Sequence, residues 1–224
     1  MPPLQKKDCM RIENYRLITL LNTDYKIMTK ALASQLATHA CTLLHQDQLG
    51  FVPTQSIFNP IRLAKTMCAY ADYMEENGVI VTLNQEKAYD KIDHKYMLAT
   101  LKHFHIPDVF INTVATLYKH AKMQVIINGV CSETYPVIRG VRQGDPLSCL
   151  LFDLTIELLT ASIQNAPTLT GYNIPNTNII VKVNLYADDT TVYLSDTDHY
   201  SDLEHVLEKW CLASGAKFNL EKQK

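Results

Sequence analysis

The sequence predicts an α+β fold. Three observations carry this reading: long stretches of helical spacing free of Pro and Gly, an Asn-Gly pair between β-branched runs, and a second alternating segment that surrounds an Asp-Asp pair. From Asp24, an expected N-cap, residues 25–45 place Ile27, Leu32, Leu36 and Leu43 among helix formers, with no Pro or Gly before Gly50. Residues 60–77 read as a second helix, stopped by Gly78 ahead of the β-branched run 79–83, which has the composition of a buried strand. Asp93 is placed to cap a helix to about His105, and Pro107 starts another through about Lys122.

The period then changes. Residues 123–127 and 130–138 are expected to pair around Asn128-Gly129, because that dipeptide supplies the positive φ angles of a type I′ turn. Beyond Gly144 and Pro146, the run 147–163 has helical spacing and is apolar nearly all round, which predicts a buried helix. Val181, Val183 and Leu185 alternate with Lys182, Asn184 and Tyr186, and residues 191–194 return beside them across a short turn. The last helix opens on Ser201-Asp202-Leu203-Glu204, the pattern of a capping box. It sets Leu203, Val206, Leu207 and Trp210 on one face and ends at Gly215.

Composition narrows the class. The 224 residues are 47% hydrophobic and 20% charged with a formal net charge of −2, which excludes collagenous, mucin-like and mostly disordered chains. No apolar stretch reaches the ~18 residues of a membrane span, and the first residues lack the apolar centre of a signal peptide. An intracellular protein of cytoplasm or nucleus, with no membrane partner, is expected. Cys9, Cys41, Cys68, Cys131, Cys149 and Cys211 are scattered rather than paired at zinc spacing, so they are expected to be reduced and mostly buried. His103 and His105 flank Phe104 and cannot share a helical face, which disfavours a metal pair. A pI near 6.4 offers no general basic excess for gripping phosphates.

The chemistry concentrates at Tyr186-Ala187-Asp188-Asp189. Taken alone, an Asp pair in a turn is ordinary. At the tip of an apolar hairpin whose strands are held, however, two adjacent carboxylates suit a pair of Mg²⁺ ions about 3.5–4 Å apart, given a third anion from elsewhere.

With the blocks around it, this motif resembles the reverse transcriptases of non-LTR, LINE-like retrotransposons. The resemblance begins at Asn14-Tyr15-Arg16-Leu17-Ile18 and Asp24-Tyr25-Lys26-Ile27 and continues through Gln48-Leu49-Gly50-Phe51-Val52-Pro53 and Glu86-Lys87-Ala88-Tyr89-Asp90. It runs on through Arg139-Gly140-Val141-Arg142-Gln143-Gly144-Asp145-Pro146-Leu147-Ser148 to Tyr186-Ala187-Asp188-Asp189, and closes on Ser214-Gly215-Ala216-Lys217-Phe218-Asn219-Leu220-Glu221-Lys222. It implies polymerase fingers at 1–78, truncated at the N-terminus, and a palm at 79–224 with an antiparallel, RNA-recognition-like sheet and a catalytic hairpin at 181–194. The chain is expected to stop before the thumb and to lack the parent protein's endonuclease.

The resemblance also implies RNA-directed DNA synthesis with Mg²⁺ or Mn²⁺, an RNA template, a DNA primer and deoxynucleoside triphosphates. Asp188 and Asp189 match the metal-binding pair. Gln143 and Gly144 match the loop against the incoming nucleotide, where the glycine permits close backbone approach. Arg16 matches a triphosphate-facing cation, Tyr89 a steric gate against the ribose 2′-hydroxyl, and Lys222 a general acid toward pyrophosphate.

The departures are as informative. Where the family has its first catalytic Asp, this chain has Asn84, which offers a cation an oxygen but no charge. Neither Glu86 nor Asp90 is positioned to substitute. Thr54-Gln55-Ser56 replaces a Gly-Arg-Ser, Leu17 and Cys149 replace prolines, and Gln223 replaces a Thr or Ser. The expectation is an impaired copy. The alternatives are a catalytically dead remnant that binds nucleic acid through Lys26, Lys30, Arg62 and Lys65, and a folded domain with no present function.

Overall fold

The computed structural model describes residues 19–50, 56, 58–75, 77–174 and 177–218. Helix α1 (Thr23–Leu43) starts two residues earlier than the sequence predicts. Its N-cap is Asn22, and Asp24 instead lies in the first turn, where a carboxylate opposes the helix dipole favourably. Helix α2 (Phe58–Met74) ends before Asn77, and β1 (Gly78–Asn84) begins at the glycine expected to separate them. A short helix, α3 (Ala88–Lys91), follows and was not anticipated. Helix α4 (His94–His103) begins as expected, with the Asp93 carboxylate accepting from the backbone N–H of Lys95 at 2.7 Å and of Tyr96 at 3.3 Å. Helix α5 (Asp108–Lys119) is capped by Pro107.

The segment after α5 is more broken than the periodicity predicts. Strands β2 (Lys122–Met123), β3 (Ile126–Ile127), β4 (Val130–Cys131) and β5 (Tyr135–Pro136) pair as β3 with β4 and β2 with β5. Asn128 and Gly129 turn with φ of 51° and 81°, the positive pair a type I′ turn requires. The return strand is interrupted because the Ser132 hydroxyl accepts the Val125 N–H at 3.0 Å and donates to the Glu133 carbonyl, taking bonds the ladder would have made.

Helix α6 (Ser148–Gln164) is the centre of the molecule. Phe152, Leu151, Ile156, Leu159 and Ile163 are fully buried, each contributing about 1.5–3 kcal/mol on burial. Strands β6 (Tyr172–Asn173) and β7 (Ile180–Val181) form a small hairpin that draws Val181 away from the strand expected to contain it. Strands β8 (Val183–Tyr186) and β9 (Asp189–Ser195) form the second expected hairpin.

Helix α7 (Tyr200–Ser214) corrects the capping-box expectation. It starts at Tyr200 with His199 as N-cap, so Ser201 lies inside the helix and makes no cap. Asp198, just before it, is committed elsewhere and accepts from the N–H groups of Thr170, Gly171 and Ser195. Gly215 closes α7 at φ 76°, as expected.

The main sheet is antiparallel with order β1-β9-β8. Val81, Leu83, Val183, Leu185 and Val192 bury one face in the core with α4, α6 and α7. On the other face, α2 covers only the far end, where Met67 packs with Tyr193 and Ile80. No disulfide joins the described cysteines; Cys41, Cys68 and Cys131 are exposed and Cys149 and Cys211 half-buried, contrary to the expected burial. Among the described residues no helix is long and apolar enough to cross a membrane.

Candidate active site

The sheet register places Asn84 opposite Asp189 and Asp189 opposite Tyr186, so the three form one row across β1, β9 and β8. Opposed residues share a face. The adjacent row, Leu83, Thr190 and Leu185, is buried in the core, so the Asp189 row looks outward, on the end of the sheet that α2 leaves open. Only Ala187 and Asp188 connect Tyr186 to Asp189, and Ala187 takes φ 55°, a conformation that L-residues adopt at some expense. Asp189 is exposed and Asp188 half-buried.

Asn84 occupies the third position of the expected carboxylate set. Its Nδ2 donates to Asp189 Oδ1 at 3.2 Å. An oxygen that a cation would use is thus already engaged by a neutral amide. Glu86 is no substitute, since it is drawn toward Lys217 at 3.8 Å and Lys91 at 4.0 Å. Among the described residues no group of three or more His, Cys, Asp or Glu side chains is placed to hold a metal. Asp188 and Asp189 are the carboxylates at this tip that a divalent cation would use, its other oxygens coming from water or a phosphate. Asn84 contributes an amide, and no charge, to this row.

Tyr89 follows on α3. Its ring stacks on Phe152 of α6 at 4.8 Å and 11°, so it packs half-buried against the core. Burial, the neighbouring Cys149 thiol and the charges of Asp153 and Asp188 push the Tyr89 hydroxyl well above its ordinary range, which keeps it a neutral donor.

The loop carrying Gln143 and Gly144 is fastened beside Tyr89: the Val141 N–H donates to the Tyr89 carbonyl at 2.6 Å and the Gly140 N–H to the Ile92 carbonyl at 2.7 Å. Gly140, at φ 79°, is indispensable here, because a Cβ would lie 2.5 Å from the Tyr89 carbonyl oxygen. Gly144, at φ 84°, needs glycine for its backbone angle; the protein leaves open space around it, with the Thr19 carbonyl 3.7 Å from a Cβ built there. Gln143 and Gly144 are exposed.

Asp145 is buried and accepts from Leu147 N–H at 3.1 Å, the Ser148 hydroxyl at 3.3 Å and the Tyr25 hydroxyl at 3.1 Å. Arg142 lies over the Tyr25 ring at 4.5 Å. The sequence pointed to both blocks but not to the Tyr25–Asp145 contact that joins them. Arg16 and Lys222 lie outside the described residues; among the others, Asn84 is bonded to Asp189, Asp188 is near enough to Tyr89 for its charge to act on the hydroxyl, and the loop that bears Gln143 and Gly144 is bonded to the Tyr89 backbone.

Beneath this site α6 carries an acidic stripe. Asp153 is fully buried with no hydrogen-bond partner for either carboxylate oxygen, and Glu157 is nearly so with Oε2 unpartnered. Burial, then the charge of Glu157, pushes the Asp153 carboxyl well up. Burial lifts Glu157 to about 7, against a hydrogen bond from the His45 backbone and with added repulsion from Asp47.

A three-stranded antiparallel sheet backed by helices, with an acidic hairpin tip open to solvent, is the arrangement of a nucleic-acid polymerase. Solved telomerases share the fold. That of Candida tropicalis in complex with a fragment of telomeric RNA aligns over 90% of this chain and 34% of its own with a TM-score of 0.63 at 12% identity. The apo form truncated from the C-terminal domain aligns over 92% and 44% with a TM-score of 0.62 at 14% identity. At such identities the likeness establishes the fold alone.

The chain belongs to the reverse transcriptase (RNA-dependent DNA polymerase) family, whose sequence model matches residues 4–224. Its relatives place it with the non-LTR, LINE-like retrotransposons. It is 32% identical over 218 residues to the transposon TX1 uncharacterized 149 kDa protein of Xenopus laevis, covering 97% of this chain and 16% of that protein. It is 27% identical over 169 residues to the Pol polyprotein of the type-2 retrotransposable element R2DM of Drosophila melanogaster, covering 75% of this chain and 16% of that one. The chain therefore spans about a sixth of the length of these relatives.

Proposed function

We propose that residues 1–78 and 79–224 are the fingers and palm of a polymerase that copies an RNA template into DNA by nucleotidyl transfer to a primer 3′-hydroxyl, and that this copy is impaired at the chemical step. The observation that carries the impairment is the Asn84 amide bonded to Asp189 Oδ1 in the row where a third carboxylate is required.

The residues divide the work as follows. Asp188 and Asp189 hold Mg²⁺, which when bound neutralises triphosphate charge and lowers the pKa of the primer hydroxyl. Tyr89, fixed by its stack on Phe152, closes the sugar side against a 2′-hydroxyl. Gln143 and Gly144 present an exposed edge to the nucleotide on a loop pinned to the Tyr89 backbone. Arg16 and Lys222 lie outside the described residues and are assigned by resemblance alone, Arg16 to the triphosphate and Lys222 to protonation of the departing pyrophosphate.

Losing one preorganised charge from such a set lowers kcat on the order of 10²–10³-fold. Primer extension on poly-rA with oligo-dT and Mg²⁺ tests the reading. Trace synthesis by the unaltered chain agrees with it; robust synthesis overturns the impairment.

A second reading, binding of nucleic acid without synthesis, is favoured by the exposure of Lys26 and Lys30 one turn apart on α1 and of Arg62 and Lys65 on α2. It requires an affinity that falls steeply with salt.

A further inference from the structure

The block containing Gln48, Leu49 and Gly50 has no role in the chemistry above, yet it is bonded to the catalytic hairpin. Residues 47–49 run parallel to the outer edge of β8: the Leu49 N–H donates to the Leu185 carbonyl at 2.8 Å, and the Leu185 N–H donates to the Asp47 carbonyl at 2.8 Å. The edge that β8 would otherwise leave open is thereby closed. The Asp47 carboxylate is tied to the same place from three sides, accepting from Gln164 of α6 and from Asn184 of β8 at 3.4 Å and pairing with His45 at 3.1 Å.

Gly50 comes next. Its N–H donates to Oε1 of the fully buried Gln48 at 3.1 Å. Its backbone then lies directly against the turn that bears Asp188. A Cβ built on Gly50 would sit 2.3 Å from the Ala187 nitrogen, 3.0 Å from the Ala187 Cα and 3.2 Å from the Tyr186 carbonyl carbon. All three are backbone atoms, so no side chain can swing aside. Gly50 is not at positive φ, so the contact, and not the backbone angle, demands glycine. The residue it touches, Ala187, is itself the one held at φ 55°.

We infer that residues 47–50 are a strut for the catalytic turn and that Gly50 is a positioning residue, setting where the Ala187-Asp188 turn sits and hence where the two Asp carboxylates point. The strut is continuous with α1, whose other end holds Asp145 through Tyr25 in the loop that presents Gln143. One helix is thus tied at one end to the nucleotide-facing loop and, through the strut, to the acidic turn. The inference rests on the proposed catalytic role of Asp188 and Asp189, but its structural core does not need activity.

Hydrogen exchange read by mass spectrometry on the full chain provides the test. In Gly50→Ala, amides of residues 185–190 should exchange at least about tenfold faster, while α4 and α6 keep the parental protection. Unchanged exchange in 185–190 overturns the strut, and equal loss across α4, α6 and the hairpin reduces Gly50 to general packing and overturns it too. If Gly50→Ala does not fold, Gln48→Ala decides: it removes the acceptor of the Gly50 N–H together with the buried side chain that carries it, leaves the backbone contacts of Gly50 in place, and should give the same local pattern at lower amplitude, with no local change refuting the inference. In an Asn84→Asp background, Gly50→Ala should lower kcat about tenfold or more with KM for dTTP unchanged. A chain that fails to polymerise in that background would remove the proposed function while leaving the exchange result intact.

Discussion

Replacing Glu157 by Gln should make the protein more stable at pH 8 and leave it almost unchanged at pH 4.5. The Glu157 side chain is 6% exposed and its Oε2 has no partner, so charging it in the native state is opposed first by burial and then by the Asp47 charge, against the His45 hydrogen bond. Its folded pKa of about 7 lies above the ordinary value of 4.5. The native state therefore binds more protons than the unfolded chain between those values, and stability falls as pH rises through that window. At about 1.4 kcal/mol for each tenfold change in proton affinity, the group should cost roughly 3 kcal/mol at pH 8 relative to pH 4.5. Gln keeps the shape and removes the charge. Urea unfolding of both proteins at pH 5, 6, 7 and 8 should give curves that diverge with pH, the difference levelling off above pH 7. Parallel curves would refute the assignment of a buried, uncompensated carboxyl.

Other outcomes follow from equally local features. Asp198 accepts from Thr170, Gly171 and Ser195 backbone N–H groups and from the Thr170 hydroxyl, and these outweigh a burial effect of opposite sign to hold it at about 2. Asp198→Ala should lower stability at pH 7 by about 1 kcal/mol, since solvent screening reduces the full linkage value at so exposed a carboxylate, and the loss should shrink as the pH falls through about 4 toward 2, seen in urea midpoints. N-ethylmaleimide at pH 8 should label exposed Cys41, Cys68 and Cys131 about tenfold faster than Cys149, whose thiol is half-buried and pushed up by burial; peptide mass spectrometry reads the order, and urea should erase it. In an Asn84→Asp chain, Tyr89→Ala should raise ribonucleotide use relative to deoxynucleotide by about tenfold or more, while a Tyr89 that only packs on Phe152 would lower both rates equally.

Local chemistry was legible in the residues and remote contact was not. Asp93, the Asn128-Gly129 turn, the all-round apolar α6 and the alternating β8–β9 segment each act through neighbours a few residues away, and each took the expected form. The capping box at Ser201 failed because α7 starts at Tyr200 with His199 as N-cap, while Asp198 just before it is held by Thr170 and Gly171, a partnership 28 and 27 residues distant that no local pattern encodes. Cys41 and Cys68 are exposed because they lie on the outer faces of α1 and α2, whose inner faces use Ala40 and Met67 instead.

At the site the motif blocks name candidate residues, but the two glycines that fix its backbone act against atoms far along the chain. Gly140 meets Tyr89 and Asp90, and Gly50 meets Ala187. The only signal available was that a chain with seven glycines places these two inside motif blocks.

The central claim is that the site is otherwise assembled and that Asn84 is its lesion. Asn84→Asp puts a carboxylate opposite Asp189 in the existing register and removes the amide from Asp189 Oδ1. Primer extension on poly-rA with oligo-dT and Mg²⁺, run on the unaltered chain and on Asn84→Asp side by side, should show a gain on the order of 10²–10³-fold in kcat. Equal rates from the two proteins, whether both high or both absent, would contradict it.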